Sequence, residues 1–259
     1  MNSLYRSFTM LKKILVALAL VTVSSFAAWD MFPVLEKGKG EAKLGLVYNF
    51  HDDWDDLNLT SGVRYTVVPH LELALLNLDW RFYGESGNEG SSQDGLADPV
   101  IGMRYWLQNN IGIFADLSLP VGDDSYNHGE FQFRGGAQFS TKLMDALSLG
   151  SEAGLAFYTE DDNDYTRGIT TNLSGELDYA IPSVPLTPFV GMEMLLRLLD
   201  SEQNNNDLDD GGDAGLAITL GARYDFNPAI SADLSLKIHT GDIYGEDYNT
   251  VAAHAYFHF

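Results

Sequence analysis

Histidines beside carboxylates are the arrangement that proton-transfer chemistry uses, and two such groupings occur: His51 with Asp52 and Asp53, and His128 with Asp123 and Asp124. A protease built at a loop rim would draw on these pairs. Both sit in runs of solvated acids, where a histidine is ordinarily a loop residue, so no catalysis is expected from them. His254 and His258 stand at i and i+4 in an alternating segment, about 13 Å apart when extended, too far for one metal ion without other ligands. The run DLDDGGD at 207–213 offers carboxylates to calcium but lacks the spaced ligands and closing Glu of an EF-hand loop. Ser61 and Ser151 fall on an apolar face that holds no histidine, which argues against a lipid-facing hydrolase. The chain has no cysteine, so disulfides, thiolate metal sites, a cysteine nucleophile and a lipid anchor on an N-terminal Cys are excluded. The chain is therefore not expected to be an enzyme, and no catalytic residue, cofactor or metal is expected.

A second kind of chemistry is written in rows. Arg64, Glu72, Arg81, Arg104, Asp116, Arg134, Glu152, Glu176, Glu193, Arg197, Arg223 and Lys237, together with Asp79, Asp178, Asp225 and Asp233, fall in one phase of segments whose other phase is apolar. In LNLTSGVRYTVV at 57–68, Leu57, Leu59, Val63, Tyr65 and Val67 share one face and Asn58, Thr60, Gly62, Arg64 and Thr66 the other. A period of two is the signature of a strand with one apolar and one polar face. Charges of both signs on the polar face either pair with one another or line water that selects solutes.

The elements that must carry these rows are predicted near 41–50, 57–68, 71–82, 97–107, 111–121, 130–140, 147–159, 167–181, 187–199, 213–226, 229–240 and 249–259. Most are longer than the usual soluble strand of about five or six residues and match the roughly nine to eleven of a tilted membrane-crossing strand. Their connections alternate. Short links such as Pro69-His70, Gln108-Asn109-Asn110 and Asn227-Pro228 lie on one side; acidic stretches at 51–56, 84–94, 122–130, 160–164, 200–213 and 241–247 lie on the other. Those stretches hold most of the 37 acidic residues and no Lys or Arg. Tyr105, Phe139, Tyr179, Phe226 and Phe259 gather near the short links and Phe50, Phe82, Phe131 and Phe157 near the long ones, as two interfacial girdles would. The expected fold is all-β, a twelve-stranded antiparallel transmembrane β-barrel with short periplasmic turns and long acidic extracellular loops. A lipocalin-like soluble barrel also alternates, but its inward face is apolar, and here the second face is charged and glycine-rich.

At the front, Lys12 and Lys13 precede ILVALALVTV and Ser25-Phe26-Ala27, a secretory signal read as residues 1–27, with translation starting at Met1 or Met10. Residues 28–40 are then a short periplasmic N-terminal segment and 41–259 the barrel. The net charge of -22 argues against nucleic acid as a partner. Partners are instead outer-membrane lipids, lipopolysaccharide met by the acidic loops through bridging divalent cations, and a small-molecule solute.

The run DGLADPVIGMRYWL followed by DLSLPVGDD resembles a hairpin of the outer-membrane family named for the MetA pathway of phenol degradation, through Gly95, Leu96, Asp98, Pro99, Gly102, Arg104, Tyr105, Leu119, Pro120, Gly122 and Asp123. The resemblance implies an integral protein of a bacterial outer membrane, a channel for small hydrophobic compounds. A last strand closing on the aromatic Phe259 resembles the signal by which barrel-assembly machinery recognises its clients. Two functions follow from the inward charges: a passive, narrow, porin-like channel, or a closed structural or surface-interaction barrel whose lumen is filled by ion pairs.

Overall fold

The computed structural model describes residues 31, 33–51, 54–86, 94–108, 110–123 and 129–259. The signal segment at 1–27 lies outside them, as do Asp52, Asp53, Asp124 and His128 of the two histidine groupings. Alternation produces strands throughout: β1 Gly40–Phe50, β2 Trp54–Val68, β3 in two parts at Leu71–Asn77 and Trp80–Ser86, and β4 in two parts at Gly95–Leu96 and Val100–Gln108. There follow β5 Ile111–Ser118, β6 Gln132–Met144, β7 Leu147–Tyr158, β8 Thr170–Tyr179, β9 Leu186–Arg197, β10 Ala214–Asn227, β11 Ile230–Thr240 and β12 Tyr248–His258. Each pairs antiparallel with its sequence neighbour, and β1 pairs with β12, so the twelve strands close into one barrel. At the seam the register runs from Glu41 opposite His258 to Phe50 opposite Asn249. Gly40 and Phe259 exchange both backbone hydrogen bonds, 2.8 and 2.9 Å.

The apolar phase faces out. Leu44, Leu46, Val63, Tyr65, Ile113, Leu173, Met192, Leu220, Leu234 and Phe257 are all exposed. A continuous apolar exterior of this extent is untenable in water and natural against lipid tails. Tyr105, Phe139, Tyr179, Phe226 and Phe259 project outward with it at the short-turn end, and Phe82, Phe131 and Phe157 at the other. The tight turns use left-handed backbone at His70, Asn110 and Ser183, as short hairpins require.

The strands depart from their expected bounds in two informative places. The acidic stretch 51–56 is shorter as a loop, because β2 starts at Trp54 and sets Asp55 opposite Phe50 and Asp56 opposite Asn49. Asp56 is inward there and fully buried, held by Arg81, Asn49 and Asn58. The second departure is a pair of adjacent breaks. β3 is interrupted at Leu78-Asp79 and β4 at Ala97–Pro99, where the proline has no N–H to give a ladder. Cross-strand bonds bridge the interruption: Ser61 Oγ donates to the Leu78 carbonyl (2.6 Å), the Ser61 N–H to Asp79 Oδ1 (3.2 Å), and the Ala97 N–H to the Asp79 carbonyl (2.9 Å). A small sheet of Tyr165–Thr166, Glu202–Gln203 and Asn206–Asp207 stands apart at the long-loop end.

Candidate functional site

With about 4.8 Å between strands and a tilt near 40°, twelve strands give a backbone radius of roughly 12 Å. An arginine reaches more than halfway to the axis of such a barrel, so its inward side chains decide whether anything passes. The wall from β4 to β8 carries one continuous belt. Arg104 forks onto Asp116, Arg134 bonds Asp116 (3.1 Å) and Glu152, and Glu152 also accepts from Gln138 (2.8 Å) and Asn172 (3.2 Å). The Phe114 ring lies beneath both guanidiniums, 5.0 Å from Arg104 and 4.7 Å from Arg134, so cation–π attraction supplements the carboxylates.

The opposite wall, toward the short-turn end, is richer in acid. Arg64 binds Glu41 at 3.1 Å and lies 3.9 Å from Glu72; His258 and His254 contact Glu41 and Asp233, each at 2.9 Å. Asp233 also accepts from the Tyr256 hydroxyl (2.6 Å), with Arg223 4.0 Å away and Glu176 and Asp178 beside it. Higher up, Arg81 binds Asp56 at 2.5 Å and Lys237 binds Glu193 at 2.7 Å. At the mouth, Arg197 is tied to Asp210 and faces Asp213 at 3.7 Å, which pins the loop after β9. Burial holds the Asp213 carboxyl above the usual carboxylate range, Arg197 only partly offsetting it. Arg167 rests on Glu130 (3.2 Å) and the Tyr158 ring (4.7 Å); burial works against its charge, but Glu130 and the neighbouring tyrosines outweigh it and raise the guanidinium's pKa.

The twelve charged residues named from the sequence thus all lie on the inner side of the wall, with Arg197 at its rim. Asp225 does not join them: it is exposed where the β10–β11 register slips between Asp225 and Asn227. Nearly every wall pair joins adjacent strands. Part of the segment before β1 also enters: Met31 is 2% exposed, its sulfur 3.6 Å from Ser174 Oγ, and the Leu35 N–H approaches Glu72 at 3.4 Å.

The hairpin of β4 and β5 shows what its unusual residues do. Asp98 accepts the N–H groups of Val121 (3.1 Å) and Gly122 (2.8 Å), while Asp123 accepts that of Leu96 (2.5 Å) and returns its own N–H to the Leu96 carbonyl (2.8 Å). The two carboxylates clasp each other's strand ends and hold the broken β4 against the chain leaving β5. Residues 32–246, which include this clasp, match the model of the family described as "Putative MetA-pathway of phenol degradation". The chain belongs to this family.

Among solved structures, an outer membrane channel from Pseudomonas putida F1 is 13% identical over 90% of this chain and 100% of that chain, with a TM-score of 0.71. The NanC porin is 10% identical over 83% and 98%, TM-score 0.55. The translocator domain of the autotransporter NalP from Neisseria meningitidis is 10% identical over 100% and 97%, TM-score 0.54. No curated protein matches the sequence. The fold of this MetA-pathway family member is that of integral outer-membrane barrels, and it serves porins and a translocator alike, so the lumen must carry the functional argument. Several lumen groups were not named from the sequence. Glu41 and Lys43 fall in the polar phase of β1 and were readable there, and Asp56 continues the phase of Asn58 and Thr60 into an acidic run. Tyr244, buried from a loop, has no strand phase at all.

Proposed function

We propose that the chain is a passive, narrow channel for small solutes across the outer membrane, with Arg64, Glu72, Arg81, Arg104, Asp116, Arg134, Glu152, Glu176, Glu193, Arg197, Arg223 and Lys237 setting the field along the path. The observation that carries this reading is the direction of the ion pairs. Arg104–Asp116, Asp116–Arg134, Arg134–Glu152, Arg64–Glu41 and Arg81–Asp56 run round the wall between neighbouring strands. A barrel plugged by its own charges would bridge facing strands across the axis. Here the ion pairs of the wall join neighbouring strands or, for Lys237–Glu193, skip a single strand. They leave to the solute the part of the axis not narrowed by Met31, Leu35 and the Tyr256 ring, which reaches from β12 to Leu76 and Val100. Pairing keeps these charges ionised at less cost than lone buried charges would carry, and they remain fixed dipoles toward anything that passes.

The solute is proposed to be small and in part apolar, consistent with the family's description and with inward Leu76, Val100 and Tyr256, which pack together. Residues 1–27 are read as the export signal and the strand ending at Phe259 as the mark used by barrel-assembly machinery. Lipid tails cover the belt, and lipopolysaccharide meets the acidic loops. Single-channel recording in planar bilayers tests the central proposal: stepwise current is expected, and a silent bilayer with correctly folded protein favours the closed, ion-paired barrel instead.

A further inference from the structure

One lumen feature is built from a loop. Between β11 and β12 the chain makes a short 3-10 turn, Asp242–Tyr244, flanked by Gly241 at φ 116° and Gly245 at φ 73°. These left-handed hinges fold the turn inward, so that Ile243 and Tyr244 are buried with Leu195, Ala217 and Tyr248. The seat is Gly215 on β10: any Cβ there would overlap Ile243 and Tyr244. Beneath the turn lies His239, 1% exposed, stacked on Tyr248 (ring centroids 4.0 Å, 10° between planes) and covered edge-on by Tyr244 (5.1 Å, 84°).

The hydrogen-bond chain beside it determines the histidine tautomer. Asn49 Nδ2 donates to Asp56 (2.9 Å), a carboxylate already held by Arg81, so Asn49 presents its oxygen to Thr250. The Thr250 hydroxyl spends its one proton on that oxygen (2.6 Å). Its oxygen therefore accepts from His239 Nε2 at 3.2 Å, and Nδ1 is left as a bare acceptor. Among the described residues His239 Nδ1 and the Tyr244 hydroxyl find no hydrogen-bond partner. Buried polar atoms left in that state oppose the covered arrangement and favour any donor that reaches them.

We propose that His239 and Tyr248 form a solute subsite at the outer end of the lumen, covered by the turn Asp242–Tyr244, for a small molecule bearing an N–H or O–H donor on an aromatic body. With the turn lifted, the ring surfaces that Tyr244 now covers supply stacking, and the oriented Nδ1 selects for the donor. This rests on the channel reading above and adds to it a ligand chemistry and a moving cover.

The test uses the full-length protein in detergent and in planar bilayers, with indole as probe and 1-methylindole as the same body without its donor. Wild type should bind indole about five- to tenfold tighter than 1-methylindole, the worth of one hydrogen bond. In His239→Phe, which keeps the stack, the two probes should bind alike. Equal binding in wild type, or a preference that survives His239→Phe, overturns the subsite without recourse to any variant's folding in the first case. Gly215→Val should evict the turn, raising both unitary current and the association rate of indole; if neither moves, the turn is not the cover. Current without indole preference defeats the subsite and spares the channel, whereas preference without current does the reverse.

Discussion

Arg134 bonds Asp116 and Glu152 on the two strands that flank its own. Removing it leaves two carboxylates buried without their shared cation, which ordinarily costs about 3–5 kcal/mol. Arg134→Gln is expected to lower the urea midpoint of the refolded barrel accordingly and, in bilayers, to shift ion selectivity toward cations. Unchanged selectivity would remove Arg134 from the solute path. Arg64→Gln should act likewise at the short-turn end, with Glu41 and Glu72 left behind. At this scale the sequence was a good guide wherever phase sufficed, as for Arg104, Asp116 and Glu152. It failed for Asp56 because an acid inside HDDWDD looks like its solvated neighbours until Arg81 is placed beside it. His239 sits in the polar phase of β11, but its importance depends on Thr250 and Tyr244, whose proximity no spacing encodes.

Among the elements, the broken strands β3 and β4 depend on side chains for bonds that a ladder would otherwise supply. Asp98→Ala removes the carboxylate that accepts from the N–H groups of Val121 and Gly122, while Val121 keeps the Leu119 carbonyl at 2.8 Å, so a loss of about 1–3 kcal/mol in all is expected. Faster hydrogen exchange at Val121 and Gly122, with β8 to β10 unaffected, is the expected result. Pro99 marked one interruption in the sequence; the one at Leu78-Asp79 carried no such mark, because LNLDW alternates through it. Loop 160–164 was legible as acidic, while the small sheet it helps to form at Tyr165–Thr166 was not, since two-residue strands have no period to detect.

For the whole molecule, orientation toward lipid is the controlling fact. Leu220 lies outward near the middle of β10 and is 53% exposed, so Leu220→Arg should destabilise the barrel by about 2–4 kcal/mol at the bilayer midplane. The comparison is refolding into lipid vesicles, where a neutral outcome would place that face elsewhere. Deleting residues 28–38 should raise unitary conductance, since Met31 and Leu35 contact Ser174 and Glu72 inside the wall. Fold, strand number and the inward charges were all legible because a period of two survives any detail of packing. The inward path of the chain before β1 was hidden, because no alternation exists in a segment that forms no strand.

The seam between β1 and β12 has a further consequence for biogenesis. It joins residues 201 positions apart at Asn49 and Thr250 and still farther apart at Glu41 and His258, whereas every other barrel pairing is between consecutive strands. Local hairpins can zip as they emerge, but this last ladder waits for both ends. Until it forms, two bare edges invite pairing with foreign strands, so the nascent sheet is most vulnerable to aggregation in its final moment, one step from completion.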